Sequence, residues 1–240
     1  MTRKTLLQHY GMSPSMEVKL IDHMGSDLTV VNSARVSFNK ESDWNYWSDD
    51  NDEWAVKTYL KDKDVKLINY LASHKHWTPF AHCSAQFRIS APIFVARQLV
   101  KHQVGLTWNE VSRRYVDYPP KFWSSKSWRK KADDKKQGST DEVIENNDTI
   151  SYVYRDTVRH CIDSYNYMLS NGVCPEQART ILPVSMYTEW YWTGSLAAWA
   201  RVCTLRMSDD AQKETKEIAS MISEHMKNLF PVSWKVLLNE

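Results

Sequence analysis

From Ser84 to Ala91 the chain alternates without a break. Ala85, Phe87, Ile89 and Ala91 stand against Ser84, Gln86, Arg88 and Ser90. A period of two predicts a half-buried strand. It runs straight into Ala91–Tyr115, where the period changes. Ile93, Ala96 and Val100 recur at helical spacing, and Pro92 suits a first helical position. Arg97 and Lys101 lie four apart and give that helix a cationic edge that also carries Gln98. Gly105 is expected to stop it in a left-handed cap.

Other segments follow from the same reading. Glu17–Asp22 predicts a short strand. Asp27 is expected to cap a helix over Leu28–Ala34. Asn39–Glu53 is polar and predicts an exposed loop. Trp54–Ser73 reads as helical, with Leu60, Leu67, Ile68 and Leu71 as its apolar face and Asp64 as a cap for its second half. Thr149–Leu169 reads as a helix with Val153, Thr157, Cys161, Tyr165 and Met168 along one side, closed by Asn171-Gly172. Pro175–Pro183 predicts a short helix that Pro183 ends or kinks. The aromatic stretch Tyr187–Trp192 precedes a helix over Leu196–Leu205. A last helix is expected from about Asp209, capped by Ser208 or Asp209, with Pro231 just after its end.

Composition narrows the function classes. A chain of 240 residues is one large domain or two small ones, and no linker divides it. Only 6 glycines favour helices over a turn-rich all-β fold. The net charge of +2 does not suit binding of duplex nucleic acid by bulk charge. The N-terminal stretch carries positive charge but no apolar core of signal-peptide length. No apolar run approaches the ~18 residues of a membrane span. The four cysteines, Cys83, Cys161, Cys174 and Cys203, form no C-x-x-C pair and no zinc spacing. These features predict a soluble, cytoplasmic protein with free thiols.

The candidate chemistry is concentrated after Gly105. Asn109-Glu110-Val111-Ser112-Arg113-Arg114-Tyr115 offers an amide, a carboxylate, a hydroxyl and two guanidiniums within seven residues. Arginine forks match phosphate oxygens in pairs, and a serine hydroxyl completes an anion nest. A salt-bridged surface loop is the plainer reading of the same residues. His74, His76 and His82 match no zinc pattern, so the expectation is a hydrogen-bonding role and no metal. Lys121–Gln137 is basic with Trp123 and Trp128 interleaved. Such a stretch suits single-stranded nucleic acid, but nearby acids cancel much of its charge, and a surface excursion is the expectation. Ser112 has no His or Asp at a helpful spacing and is not a nucleophile candidate. On spacing alone Arg206 is a helix-end arginine that balances a dipole.

Several of these pieces together resemble one family. They are Leu20–Ala34 with Arg35-Val36-Ser37-Phe38, His76-Trp77-Thr78-Pro79-Phe80-Ala81-His82, Ala91–Gln103, Asn109–Tyr115, Ala178-Arg179-Thr180-Ile181-Leu182-Pro183, Tyr187-Thr188, Leu205-Arg206 and Asp210-Ala211-Gln212. In this order they are similar to the flavin-dependent thymidylate synthases, the ThyX family, over most of the chain. One segment departs. Where the family has Arg-His-Arg and seven residues before the serine, this chain has Lys101-His102-Gln103 and eight.

The resemblance implies an α+β fold, a central antiparallel sheet flanked by helices, as a single catalytic domain assembled into a homotetramer with shared active sites. It implies reductive methylation of dUMP to dTMP. Methylenetetrahydrofolate would be the carbon donor, and FAD reduced by NADPH the hydride donor. By position, His76, Thr78, Lys101, His102, Gln103, Glu110, Ser195, Ala197 and Arg201 would contact FAD. Gln98, Lys101, Glu110, Val111, Ser112, Arg113, Arg114, Arg179 and Arg206 would hold dUMP, and Arg206 would face the uracil ring as the catalytic cation. No cysteine lies within the matched nucleotide motif, which leaves electrostatic activation of the ring as the route. The changed Lys101-His102-Gln103 segment also admits hydroxymethylation of a pyrimidine nucleotide. A non-catalytic nucleotide- or single-strand-binding protein is the reading from another class.

Overall fold

The computed structural model describes residues 14–49, 52–116, 118–133 and 138–239. The basic N-terminal stretch and Asp117 lie outside the described residues. In chain order the elements are β1 (Glu17–Met24), α1 (Asp27–Arg35), β2 (Asn45–Asp49), β3 (Asp52–Tyr59), α2 (Asp62–Ser73) and α3 (Thr78–Ala81). Then come β4 (Ser84–Pro92), α4 (Ile93–Leu99), β5 (Leu106–Glu110), β6 (Arg129–Lys131), β7 (Ser139–Val143) and α5 (Asn147–Ser170). The chain continues with α6 (Pro175–Ala178), β8 (Tyr187–Ser195), α7 (Leu196–Arg206), α8 (Lys213–Leu229) and α9 (Pro231–Leu238).

The alternating segment is β4, and it buries Ala85, Phe87, Ile89 and Ala91. It pairs antiparallel with β1 on one side and with β8 on the other. β5 adds to β8, so the sheet runs β1-β4-β8-β5 and is antiparallel throughout. Its apolar face carries Phe87, Trp190 and Trp192, and α7, α8 and α9 contribute to the same core. Trp199 on α7 meets Phe87 and Trp192 edge to face, while Trp108 on β5 stacks on Trp190 at 4.4 Å. Each such ring contributes about 2–3 kcal/mol through burial, before entropy is counted. Arg88 and Glu189 bridge at 2.5 Å on the polar side of the β4–β8 pair. The sheet flanked by helices agrees with the α+β expectation.

Seven expectations change. Asn45–Tyr59 forms the β2–β3 hairpin, where a loop and then a helix were expected. Tyr46, Trp47, Trp54, Val56, Thr58 and Tyr59 favour a pleated strand over a helix. Asp64 does not cap a helix. It is buried in the first turn of α2, where it takes Arg35 at 2.5 Å and the Ser42 hydroxyl at 2.5 Å. Asp27 opens α1 but caps a different helix, accepting the Val232 and Ser233 amides of α9 at 2.9 Å each.

α4 ends at Leu99 and buries Val95, Ala96 and Leu99. Gly105 does stand at φ +74, but it turns the chain into β5 rather than closing a helix. On α5 the buried row is Ser151, Val158, Ile162 and Tyr165, while Val153 and Thr157 are exposed. A row taken every four residues drifts around a helix of 3.6 residues per turn. Finally, α8 starts at Lys213 with Gln212 at its cap position, and Pro231 opens α9 as an N-terminal proline. Trp123 and Trp128 leave the expected surface excursion and pack edge to face with Phe94 and each other, with Tyr154 against Trp128.

Candidate active site

The turn between α4 and β5 lies over α7, and the chemistry gathers beneath it. Arg206 ends α7. Its Nε–H donates to His102 Nε2 at 2.9 Å, and its Nη2 donates to the Gln98 carbonyl at 3.3 Å. Both partners are neutral acceptors, so neither cancels the cation's charge. Burial pulls the Arg206 pKa below the usual arginine value, yet a guanidinium keeps its proton in any protein setting. Burial, then Arg206, then Arg201 hold the His102 imidazole below its ordinary pKa. His102 is therefore a neutral ring with its Nε2 lone pair turned to Arg206.

Gln98 is held by its side chain as well. Its amide donates to Gln212 Oε1, and its Oε1 accepts from the Thr215 hydroxyl at 3.2 Å. Gln212 in turn donates to Glu214 at 2.9 Å, and Arg129 pairs with Glu214 at 3.0 Å. Sequence reading gave Gln98, His102 and Arg206 but assigned no role to Gln212, Glu214, Thr215 or Arg129. Gln212 lies 114 residues from Gln98, beyond any spacing rule. Its place in the Asp210-Ala211-Gln212 motif was the one available signal.

One turn back along α7, Arg201 donates to the Val104 carbonyl at 2.7 Å and to the Ala197 carbonyl at 3.3 Å. Ser195 caps α7 by accepting the Ala198 amide, and its own amide reaches the Gly105 carbonyl at 3.2 Å. A Cβ on Gly105 would stand 3.2 Å from that of Ala198, so the positive φ and the close approach both require glycine there. Ala197 is buried, while Lys101, Gln103 and Arg201 are exposed. The pairing of β5 with β8 then carries the chain to Glu110, which accepts from the Thr188 hydroxyl at 2.8 Å and Trp108 Nε1 at 3.2 Å. Val111 extends that pairing through its amide to the Glu189 carbonyl at 2.9 Å.

Beyond it, the two arginines of the motif diverge. Arg113 is buried, donating to the Tyr118 carbonyl at 2.5 Å with its guanidinium 4.4 Å from the Tyr118 ring centre. Arg114 faces outward and pairs with Glu176 at 3.3 Å, and Arg179 donates to the Glu176 carbonyl at 3.3 Å. The Glu176 carboxylate thus ties Arg114 to the helical turn that also carries Arg179. Ser112 accepts the Arg114 amide at 3.3 Å in the same turn. This is a cationic cluster with a hydroxyl, suited to a phosphate.

His76 and Thr78 are exposed at the α2–α3 corner, where the His76 ring meets Tyr70 edge to face. α3 packs against α7, and the Cys83 carbonyl after it accepts the first amide of α7. Among the described residues, no His, Cys, Asp and Glu side chains form a group of three that could hold a metal ion. Burial pushes the Cys83 thiol up to about 12 and raises the Cys203 thiol as well. Both are protonated near neutrality and are poor nucleophiles. Cys203 shares α7 with Arg206 but points to the Ala219 carbonyl.

Residues 19–232 match the Thy1 family model, described as thymidylate synthase complementing protein. The flavin-dependent thymidylate synthase of Thermus thermophilus is 33% identical over 217 residues, 90% of this chain and 73% of that protein. The enzyme of the same name from Kosmotoga olearia is 34% identical over 224 residues, 92% of this chain and 90% of that protein. Among solved structures, the UMP/dUMP methylase PolB from Streptomyces cacaoi, bound with 5-Br dUMP, superposes with a TM-score of 0.78. It is 29% identical, with 95% of this chain and 96% of that one covered. The match across nearly the whole sheet-and-helix unit makes the chain a member of the Thy1 family, that of the flavin-dependent thymidylate synthases.

Proposed function

We propose that this protein, as one catalytic domain, makes dTMP from dUMP, with methylenetetrahydrofolate as carbon donor and FAD, recharged by NADPH, as cofactor. The observation that carries the reading is Arg206. It is an arginine drawn partly out of water and fixed by two neutral acceptors, His102 and the Gln98 carbonyl. A cation in that state gains most when negative charge develops beside it. Methylation at C5 of uracil requires such charge on the ring carbonyl and N3. Arg206 would stabilise it without a cysteine adduct, and the two buried thiols are too weakly acidic to form one.

The other residues divide the remaining work. Ser112, Arg114 and Arg179 would hold the nucleotide phosphate, releasing Arg114 from Glu176. Arg113 gives one N–H to the Tyr118 carbonyl, and its remaining donors would join the same phosphate set. Glu110, fixed by Thr188 and Trp108, and Val111 would lie between nucleotide and flavin. Gln98 and Lys101 complete the nucleotide set. The donors present fit FAD. Exposed Lys101, Arg201 and Arg97 supply charge for a diphosphate, and Gln103, His102, Ser195, His76 and Thr78 supply hydrogen bonds for a polar ring edge. The backbone beside buried Ala197 would take part in the same contact. When bound, reduced flavin supplies the hydride that completes the methyl group. Lys101 and Gln103 replace two arginines of the family pattern, and β5 keeps an unbroken register with β8 despite the extra residue. This supports an intact site.

Trp77, Val104 and Tyr115 are exposed at 61%, 80% and 80%, one beside each part of the site. Apolar side chains in that position support partner subunits covering the site, and we read the protein as a homotetramer of the cytoplasm. No helix among the described residues is long and apolar enough to cross a membrane. Trp123 and Trp128 are half-buried against Phe94, Tyr154 and each other, which weighs against single-strand binding by these rings.

The test is the mass of the nucleotide formed by purified protein with dUMP, methylenetetrahydrofolate, FAD and NADPH. dTMP is the expected product. A hydroxymethylated nucleotide would keep the site and overturn the final reductive step. Unchanged dUMP from flavin-loaded protein would overturn the substrate.

A further inference from the structure

Five side chains form a chain of hydrogen bonds with one allowed direction. Arg129 can only donate, and Glu214 as a carboxylate can only accept. Arg129 Nη2 donates to Glu214 Oε1 at 3.0 Å. The amide of Gln212 meets the other oxygen, Oε2, at 2.9 Å and must therefore present its NH2 there. That leaves the Gln212 carbonyl facing Gln98, so Gln98 must in turn present its own NH2 to Gln212. The Gln98 carbonyl then falls to the Thr215 hydroxyl, at 3.2 Å. An amide free to rotate would offer a nucleotide either end. This one is locked by an acceptor-only residue two places away.

The lock is built into the start of α8. Gln212 sits at its cap position, and Glu214 and Thr215 lie in its first turn, where a carboxylate is also favoured by the helix dipole. Glu214 and Thr215 are buried, at 7% and 0% exposure, while Gln212 and Arg129 are half-buried. Gln98 is only half-buried, and its backbone carbonyl holds Arg206. The second N–H and the second lone pair of its amide are thus left at fixed places, on the residue whose backbone carbonyl holds Arg206.

We propose that Gln212 and Glu214, with Thr215, are positioning residues that decide which way round the Gln98 amide meets the pyrimidine nucleotide. The proposal rests on Gln98 and Arg206 facing dUMP, as argued above. Glu214 acts through Gln212. Its part is the direction of the hydrogen bonds, which packing alone would not require.

The test moves the carboxylate along the chain. Glu214→Gln preserves size, but its amide oxygen must accept from the donor-only Arg129, so its NH2 meets Gln212 and reverses the direction along the chain. dUMP affinity, measured by titration calorimetry on the FAD-loaded protein, should weaken about three- to tenfold, the scale of one hydrogen bond. The double variant Gln212→Glu with Glu214→Gln restores direction. The new amide at the second position would then accept from Arg129 and donate to the new carboxylate at the first, which accepts from Gln98. Its dUMP affinity should return to within about twofold of the original. FAD absorbance should be the same in all three proteins. If Glu214→Gln leaves dUMP affinity unchanged, or the double variant is as weak as the single one, the proposal is overturned. Should Glu214→Gln fail to fold, Gln212→Met removes the link between Glu214 and Gln98, and unchanged dUMP affinity there overturns it equally. If the unaltered protein binds FAD but no dUMP, the functional reading fails, and this inference falls with it.

Discussion

Arg206 and His102 test the site at the scale of single side chains. Arg206→Ala should keep FAD bound and lower kcat by about 10²–10³, the usual loss for one preorganised charge-stabilising donor. Arg206→Lys should recover only part, because an ammonium cannot serve His102 and Gln98 while facing the ring. Near-normal turnover in the alanine variant would remove Arg206 from the chemistry. His102 gives a pH signature. Its folded pKa lies below the ordinary 6.5 because of burial first and the Arg206 and Arg201 charges second. Neutral His102 accepts from Arg206, whereas a protonated ring would oppose one donor to another. The stability it contributes is present above pH 6.5 and is lost as pH falls through the depressed pKa. An NMR titration should place its pKa below 6.5 and move it part of the way back up in Arg206→Ala. An unmoved value would remove the Arg206 charge as a cause. Both residues were legible in the sequence because their motifs are local. Gln212 and Thr215 were not, since they meet Gln98 only after β4, β8 and α7 bring distant segments together.

At the scale of elements, legibility followed the period. The strict alternation of Ser84–Ala91 gave β4 to within one residue, because one face of a sheet strand must be apolar. α7 was equally clear. Helix starts were less so, because caps recruit partners from elsewhere. Asp27 shows why. Its place before Leu28 suggests a local cap, but its oxygens close the amides of Val232 and Ser233, more than two hundred residues away. Asp27→Ala should therefore destabilise α9 rather than only α1. The cost should be about 1–2 kcal/mol by chemical denaturation. Faster amide exchange at Val232 and Ser233 than at α1 would locate it, and equal protection there would contradict the assignment. α4 was read too long for a related reason. Its cationic edge and Gly105 fit a longer helix, but Leu106–Glu110 gains a full ladder on β8 and leaves the helix early.

The whole molecule raises the question of where one site begins and ends. Within a single chain, Arg206, Gln98 and His102 form one group, and Arg201 with Ser195 lies beside it on α7. Arg114 and Arg179 form another group at Glu176, while His76 and Thr78 stand at an exposed corner. Exposed Trp77, Val104 and Tyr115 border these groups and await cover. Assembly of subunits would satisfy both facts at once, and the proposed tetramer predicts four times the chain mass by light scattering. Sharing of the site makes a sharper prediction. His76→Ala and Arg206→Ala should each turn over slowly alone. Coexpressed in equal amounts, they should regain activity. If a site takes His76 from one subunit and Arg206 from another, random mixing leaves about a quarter of sites with both intact. If both residues come from the same chain, every site carries one lesion, and the mixture stays as slow as its parts. Recovery near a quarter, with a tetramer mass, would mean that the apolar rim is an interface and the site is built only on assembly. A tetramer without recovery would keep the interface but return His76 and Arg206 to a single chain.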